Sequence, residues 1–111
     1  MPRLDFYSDY KLFVKFKLGA DEITIGRGDN CTVQLPDDRV SRVHAVIRPS
    51  AGGYELEDRS LNGTRVNDRM VKESEALEPG DRVYIQKFVI IYQPDDAPSV
   101  DLDDQHTIYE G

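Results

Sequence analysis

Apolar and polar residues alternate along most of this chain. Leu12, Val14, Phe16 and Leu18 interleave with Lys11, Phe13, Lys15 and Lys17, the period-2 pattern of a strand whose lysines largely face water. Gly19-Ala20-Asp21 then turns the chain, and Ile23 and Ile25 open a second strand that ends at Gly26. Further short strands are expected at Thr32–Leu35, His44–Arg48, Tyr54–Asp58, Thr64–Val66, Arg82–Gln86 and Phe88–Gln93. Between them stand Pro36-Asp37-Asp38, Pro49-Ser50-Ala51-Gly52-Gly53, Asn62-Gly63, Asn67-Asp68 and Pro79-Gly80-Asp81, residues that make turns. Many short strands at such spacing indicate an all-β antiparallel sandwich or barrel. Glu73–Leu77 could form one helical turn, and no long amphipathic helix is visible.

The pattern changes after Gln93. Pro94-Asp95-Asp96-Ala97-Pro98-Ser99 has too few apolar residues to pack and reads as the start of a linker. The expected division is a domain over residues 1–93 and a flexible acidic tail over 94–111. Gly111 follows no closing element, which leaves room for a longer parent protein.

At 111 residues the chain suits one domain with an ordinary core. The formal charge is −7, from 14 basic and 21 acidic residues, but six of those acids lie after Tyr92, where there is no Lys or Arg. The first 92 residues therefore carry −1 (14 basic against 15 acidic). Neither half has a basic stripe, so nucleic acid and anionic membrane are disfavoured as partners. Cys31, the lone cysteine, excludes an internal disulfide and fits a reducing compartment. No signal peptide is visible, and the longest apolar run, Phe88–Tyr92, is too short to span a bilayer. A cytoplasmic location is expected.

Three loops carry candidate chemistry. Gly26-Arg27-Gly28 follows a strand directly, but no third glycine, Lys-Ser/Thr or helix supports a nucleotide loop. Arg39-Val40-Ser41-Arg42-Val43-His44 brackets a hydroxyl between arginines, which suits an oxyanion: charged forks plus a neutral donor. A catalytic alternative would make Ser41 a nucleophile with His44 as base. It has no third member, and the spacing is not diagnostic. His44 reads better as a structural residue pinning a loop. A metal role is also poor, because the other histidine, His106, lies in the tail. Asp58-Arg59-Ser60-Leu61-Asn62-Gly63-Thr64 places Asn-Gly between two strand-like runs, a strong hairpin-type turn signal.

In this order on an all-β chain, Gly26-Arg27, Ser41-Arg42-Val43-His44 and Asn62-Gly63-Thr64 closely resemble the forkhead-associated (FHA) domain, over roughly residues 10–93. Leu77-x-x-Gly80-Asp81 agrees. The resemblance implies a two-sheet antiparallel β-sandwich (FHA/SMAD-like) whose loops grip a phosphothreonine peptide, with no catalysis and no cofactor. Carried over by position, Arg27 pairs with phosphate oxygens, Ser41 donates its hydroxyl to phosphate, and Arg42 adds a second charged contact. Asn62 holds the peptide main chain, while Arg39 and Leu61 touch residues flanking the phosphothreonine. Gly26, His44 and Gly63 support the site. Leu61 stands where relatives often have Thr or Ser, so one side-chain hydroxyl contact is missing.

The partners so implied are phosphothreonine proteins, substrates of a Ser/Thr kinase. The alternative is a structural module of the same fold that binds an unphosphorylated partner or drives oligomerisation. In the tail, Asp103-Asp104-Gln105-His106-Thr107-Ile108-Tyr109-Glu110 could be a kinase substrate. Phosphorylated Thr107 would then be a ligand carried by the chain itself, against the plainer reading of a solvated linker.

Overall fold

The computed structural model describes residues 1–102. Thr107 and His106 lie outside the described residues. Eleven strands make two sheets: β1 (Arg3–Ser8), β2 (Lys11–Lys17), β3 (Ile23–Gly26), β4 (Val33–Gln34), β5 (Ala45–Ser50), β6 (Gly53–Asp58), β7 (Arg65–Val66), β8 (Arg69–Met70), β9 (Ser74–Ala76), β10 (Arg82–Ile85) and β11 (Phe88–Gln93). One sheet runs β2-β1-β11-β10-β7-β8 and the other β4-β3-β5-β6-β9. No helix among the described residues is long and apolar enough to cross a membrane.

Leu4, Phe6, Val83, Ile85 and Ile90 of the first sheet meet Ile25, Ile47 and Leu56 of the second in one core, all fully buried. Each such side chain contributes about 1.5–3 kcal/mol by leaving water, so the sandwich holds together without cross-links. The expected two-sheet sandwich is what forms, with one local exception to antiparallel pairing. β3 and β4 run parallel, Ile25 opposite Val33. The turn closed by Cys31 N–H on the Gly28 carbonyl (3.1 Å) brings the chain back beside β3. There Thr24 and Thr32 exchange bonds, each backbone N–H donating to the other's hydroxyl.

Three elements differ from the sequence expectation. Glu73–Leu77 contains strand β9 and no helical turn, because Ser74–Ala76 completes the open edge of β6. Asn62-Gly63 does not close a hairpin: β6 and β7 belong to different sheets, and Asn62-Gly63 lies in the loop that crosses between them. The hairpin forms one turn later at Asn67-Asp68, between β7 and β8, with Asn67 at φ 55°. Phe13, expected among the water-facing positions, is 44% exposed but also sets one side of its ring against Phe6 and Phe88, tilted by 59° with centroids 6.3 and 6.1 Å away. An irregularity in the β1–β2 register, where Phe6 faces Val14 but Tyr7 faces Leu12, sets Phe13 out of alternation.

Strand β1 is a further element that the alternation did not suggest. Leu4 and Phe6 point into the core, while Arg3, Asp5 and Tyr7 on the opposite face are buried as well. What covers them is the segment expected to be a linker. Regular pairing stops at Gln93, but contacts continue: Arg3 donates to the carbonyls of Pro94 (3.0 Å) and Asp95 (2.7 Å). Tyr7 Oη donates to the Val100 carbonyl (2.6 Å), and Leu102 packs with Tyr7 and Ile91. Residues 94–102 therefore form a strap over the outer face of β1 and β11. Polar contacts to Arg3 hold the first part of the strap, and Val100 and Leu102 pack its end.

Candidate functional site

The candidate residues fall on three loops: 27–32 between β3 and β4, 35–44 between β4 and β5, and 59–64 between β6 and β7. The first two run side by side. Arg27 N–H donates to the Ser41 carbonyl, Gly28 N–H to the Arg42 carbonyl (both 3.0 Å), and His44 N–H to the Ile25 carbonyl (2.8 Å). These bonds extend the β3–β5 pairing into the loops and fix Arg27 next to Ser41 and Arg42. Gly26 makes the approach possible, since a Cβ there would sit 2.3 Å from the Arg42 carbonyl oxygen, closer than any non-bonded contact allows.

His44 is fully buried and ties the second loop to the third. Its Nδ1 accepts from Ser41 N–H (3.0 Å), and its Nε2 faces the Gly63 carbonyl oxygen (2.9 Å). Both bonds are satisfied by the neutral ring with its proton on Nε2. The Ser41 hydroxyl points elsewhere, accepting from Leu61 N–H (3.0 Å), so the Ser41–His44 pair has no nucleophile–base geometry. As an acceptor in that bond, the Ser41 hydroxyl keeps its own proton available for a ligand.

Asn62 donates through Nδ2 to the Arg39 carbonyl (2.9 Å), which joins the third loop to the second again. Leu61 beside it is 95% exposed. Gly63 has φ +99°, and its missing Cβ would meet the Met70 methyl at 2.5 Å. The turn needs the left-handed backbone that glycine adopts freely, while the exposed Met70 side chain is free to move aside.

A further set was not singled out from the sequence. Asp58 Oδ1 accepts from Ser60 N–H (3.1 Å), the Ser60 hydroxyl (2.6 Å) and the buried Thr64 hydroxyl (2.8 Å). Ser60 Oγ in turn accepts from Gly63 N–H (2.7 Å). This latch shapes the loop that carries Leu61 and Asn62. The signal for it was a carboxylate followed two residues later by Ser and six later by Thr, the type of local side-chain-to-backbone capping that turns use.

The electrostatics separate the arginines into two groups. Arg3, Arg39, Arg48, Arg59 and Arg69 each pair with a carboxylate, and Arg65 lies over the Tyr84 ring at 4.2 Å. Arg27, Arg42 and Arg82 take part in none of the ion pairs among the described residues. Arg82 lies on β10, so Arg27 and Arg42 are the two of them that stand at the loop end. Arg27 spends only its Nε, on the Val40 carbonyl (3.0 Å). That bond orients the guanidinium and leaves its two terminal nitrogens available. The result is two uncompensated cations, a hydroxyl donor and a side-chain amide gathered on three interlocked loops. Such a cluster suits a small, strongly charged anion attached to an extended chain.

A family model for the FHA domain matches residues 23–86, the stretch that contains all three loops. The oxoglutarate dehydrogenase inhibitor of Corynebacterium diphtheriae is 42% identical over 79 residues, 70% of this chain and 54% of that one. The chain thus spans about half the length of that curated relative. Among solved structures, the FhaA FHA domain complexed with the intracellular domain of Rv3910 superposes with a TM-score of 0.74 at 32% identity. It covers 84% of this chain and 100% of that one. A structure from an analysis of phosphothreonine-dependent FHA domain interactions gives 0.73 at 30% identity, covering 86% and 99%. Family match, fold and loop order agree: this chain belongs to the FHA domain family.

Proposed function

We propose that the loop end binds phosphothreonine in partner proteins, as a signalling interaction module. The observation that supports this reading is the pair of arginines without ion pairs among the described residues, Arg27 and Arg42, on loops that backbone bonds join at Ser41 and Arg42. A phosphothreonine brings a charge of about −1.5 to −2 and three strong acceptor oxygens. Arg27 and Arg42 take phosphate oxygens by charge-assisted bonds, Ser41 donates its hydroxyl, and Asn62 holds the peptide main chain. Arg39 and Leu61 face the flanking residues. Gly26, His44 and Gly63 keep the three loops in register. Each charge-assisted bond is worth about 1.5–3 kcal/mol net, so discrimination against the plain threonine is steep. The threonine methyl adds about 1 kcal/mol where it is buried, a several-fold preference over phosphoserine.

Nothing in this arrangement calls for a cofactor, and its chemistry is recognition. Partners are substrates of a Ser/Thr kinase, met in the cytoplasm, where Cys31 stays a free thiol. Calorimetric titration with one peptide in phosphothreonine, phosphoserine and unmodified forms tests the reading. Tight binding of the first, several-fold weaker binding of the second and negligible binding of the third are expected. Equal binding of the phosphorylated and plain forms would instead favour a module for unphosphorylated partners.

A further inference from the structure

The Arg39 side chain lies at the loop end but, unlike Arg27 and Arg42, it is already occupied. Its Nε lies 3.2 Å from Asp37 Oδ1 and its terminal nitrogen 3.1 Å from Asp37 Oδ2, a two-pronged fork. The carboxylate is itself held in place. Asp37 N–H donates to the Leu35 carbonyl (2.9 Å), the Asp37 carbonyl accepts from Val40 N–H (3.0 Å), and Asp37 Oδ1 also accepts from Arg39 N–H (2.8 Å). The Asp37 side chain is 11% exposed against 62% for Arg39. The anion is therefore built into the turn, and the cation is held against it at the surface. Arg39 is also joined to the peptide-facing loop, since its carbonyl receives Asn62 Nδ2.

From this geometry we infer that Asp37 is a specificity-determining residue of the site. By holding the Arg39 guanidinium it withholds that cation from the bound peptide, so the chain disfavours phosphothreonine segments with an acidic residue facing Arg39. The inference rests on the phosphothreonine reading above and adds a flanking preference to it. The Asp37 carboxyl is held down at about 2, chiefly by the Arg39 side-chain bond, so it stays charged at any pH where binding is measured. An acidic flanking residue meets a neutralised pair and the fixed Asp37 carboxylate behind it, while the phosphate itself goes to Arg27 and Arg42. Exposed ion pairs of this kind are worth at most about fivefold in an equilibrium, which sets the size of the effect.

The test uses phosphothreonine peptides that differ only by Glu or Gln, scanned through the flanking positions. Asp37→Asn keeps an oxygen that can accept from Arg39 N–H and removes the charge. Asp38→Asn removes a neighbouring exposed charge as a control. The wild type is expected to bind every Gln peptide at least as tightly as its Glu partner. Asp37→Asn should bind the Glu peptide at one flanking position about three- to fivefold more tightly than the wild type, with Gln peptides unchanged. Adding Arg39→Gln should abolish that gain. Gains of the same size in Asp38→Asn, or none in Asp37→Asn while Gln peptides bind at wild-type strength, would overturn the inference. Failure of the wild type to bind the Gln phosphopeptide in preference to its plain form would instead remove the phosphothreonine reading on which it rests.

Discussion

Arg3 and Arg27 show two uses of one side chain. Arg3, on β1, is 5% exposed at its side chain and donates to both oxygens of Asp5 at 2.7 and 3.0 Å. Its other donors go to the strap, and Ser99 Oγ completes the set by donating to Asp5 Oδ2 at 2.9 Å. Arg27 sits half-buried in the loop end, with one nitrogen on a carbonyl and no ion pair among the described residues. A guanidinium whose anion is supplied by its own chain acts as a staple. One whose anion is absent is poised for a ligand. The first is covered by residues 94–102, and the second is kept at the surface by the loop bonds around Ser41, His44 and Asn62.

Removing one half of the staple has the largest expected effect. Asp5→Ala leaves Arg3 buried without its anion, a loss of about 3 kcal/mol by the usual cost of breaking such a pair, readable by urea unfolding. Phosphopeptide affinity at equal folded fraction should not change, and a matching loss of affinity would dissolve the contrast between the two regions. Arg27→Ala should behave oppositely. About 1.5–3 kcal/mol of binding disappears, tenfold to somewhat over a hundredfold in Kd, while the unfolding midpoint barely moves. A large stability loss in Arg27→Ala would mean that this residue too is a staple.

Ser60→Ala tests the latch. Losing its hydroxyl leaves Gly63 N–H without its acceptor, at a cost of about 1 kcal/mol. Affinity should fall through displacement of Asn62, with phosphate discrimination retained. The smallest effect is on pH dependence. Asp37 is held at about 2 by Arg39, and Glu57 at about 2 by Arg59 first and Arg48 second, against ordinary values of 3.8 and 4.5. Both are depressed carboxylates, so what they contribute is fully present above pH 4.5 and is lost as pH falls toward 2. Acid titration of stability should show a shallow decline in that window, and Asp37→Asn should make it shallower.

The strands with one wet face were legible in the sequence. Tyr54–Asp58 and Arg82–Ile85 alternate plainly, and Phe88–Gln93 stands out by its apolar run. That run is continuous because Ile91 is covered by the strap while Ile90 is in the core. β1 escaped notice because Arg3 and Asp5 look like solvent-facing charges, and only their mutual bonding allows burial. β4 falls within the strand expected at Thr32–Leu35, whereas β8 and β9 are two and three residues long and owe their form to a neighbouring strand, a tertiary cause that local pattern does not record. Arg27, Ser41, Arg42 and Asn62 stood out by residue type and order. The role of Asp37 did not, since it depends on where the Arg39 fork lies, and neither did the Asp58–Ser60–Thr64 latch.

Backbone amide NMR shifts during titration with a phosphothreonine peptide and its plain counterpart test the central claim most directly. The account predicts large shifts at residues 26–28, 39–44 and 60–63 with the phosphopeptide alone, while Arg3, Asp5 and residues 94–102 stay still. Shifts centred on the β1 and strap face, or equal shifts from both peptides, would contradict it.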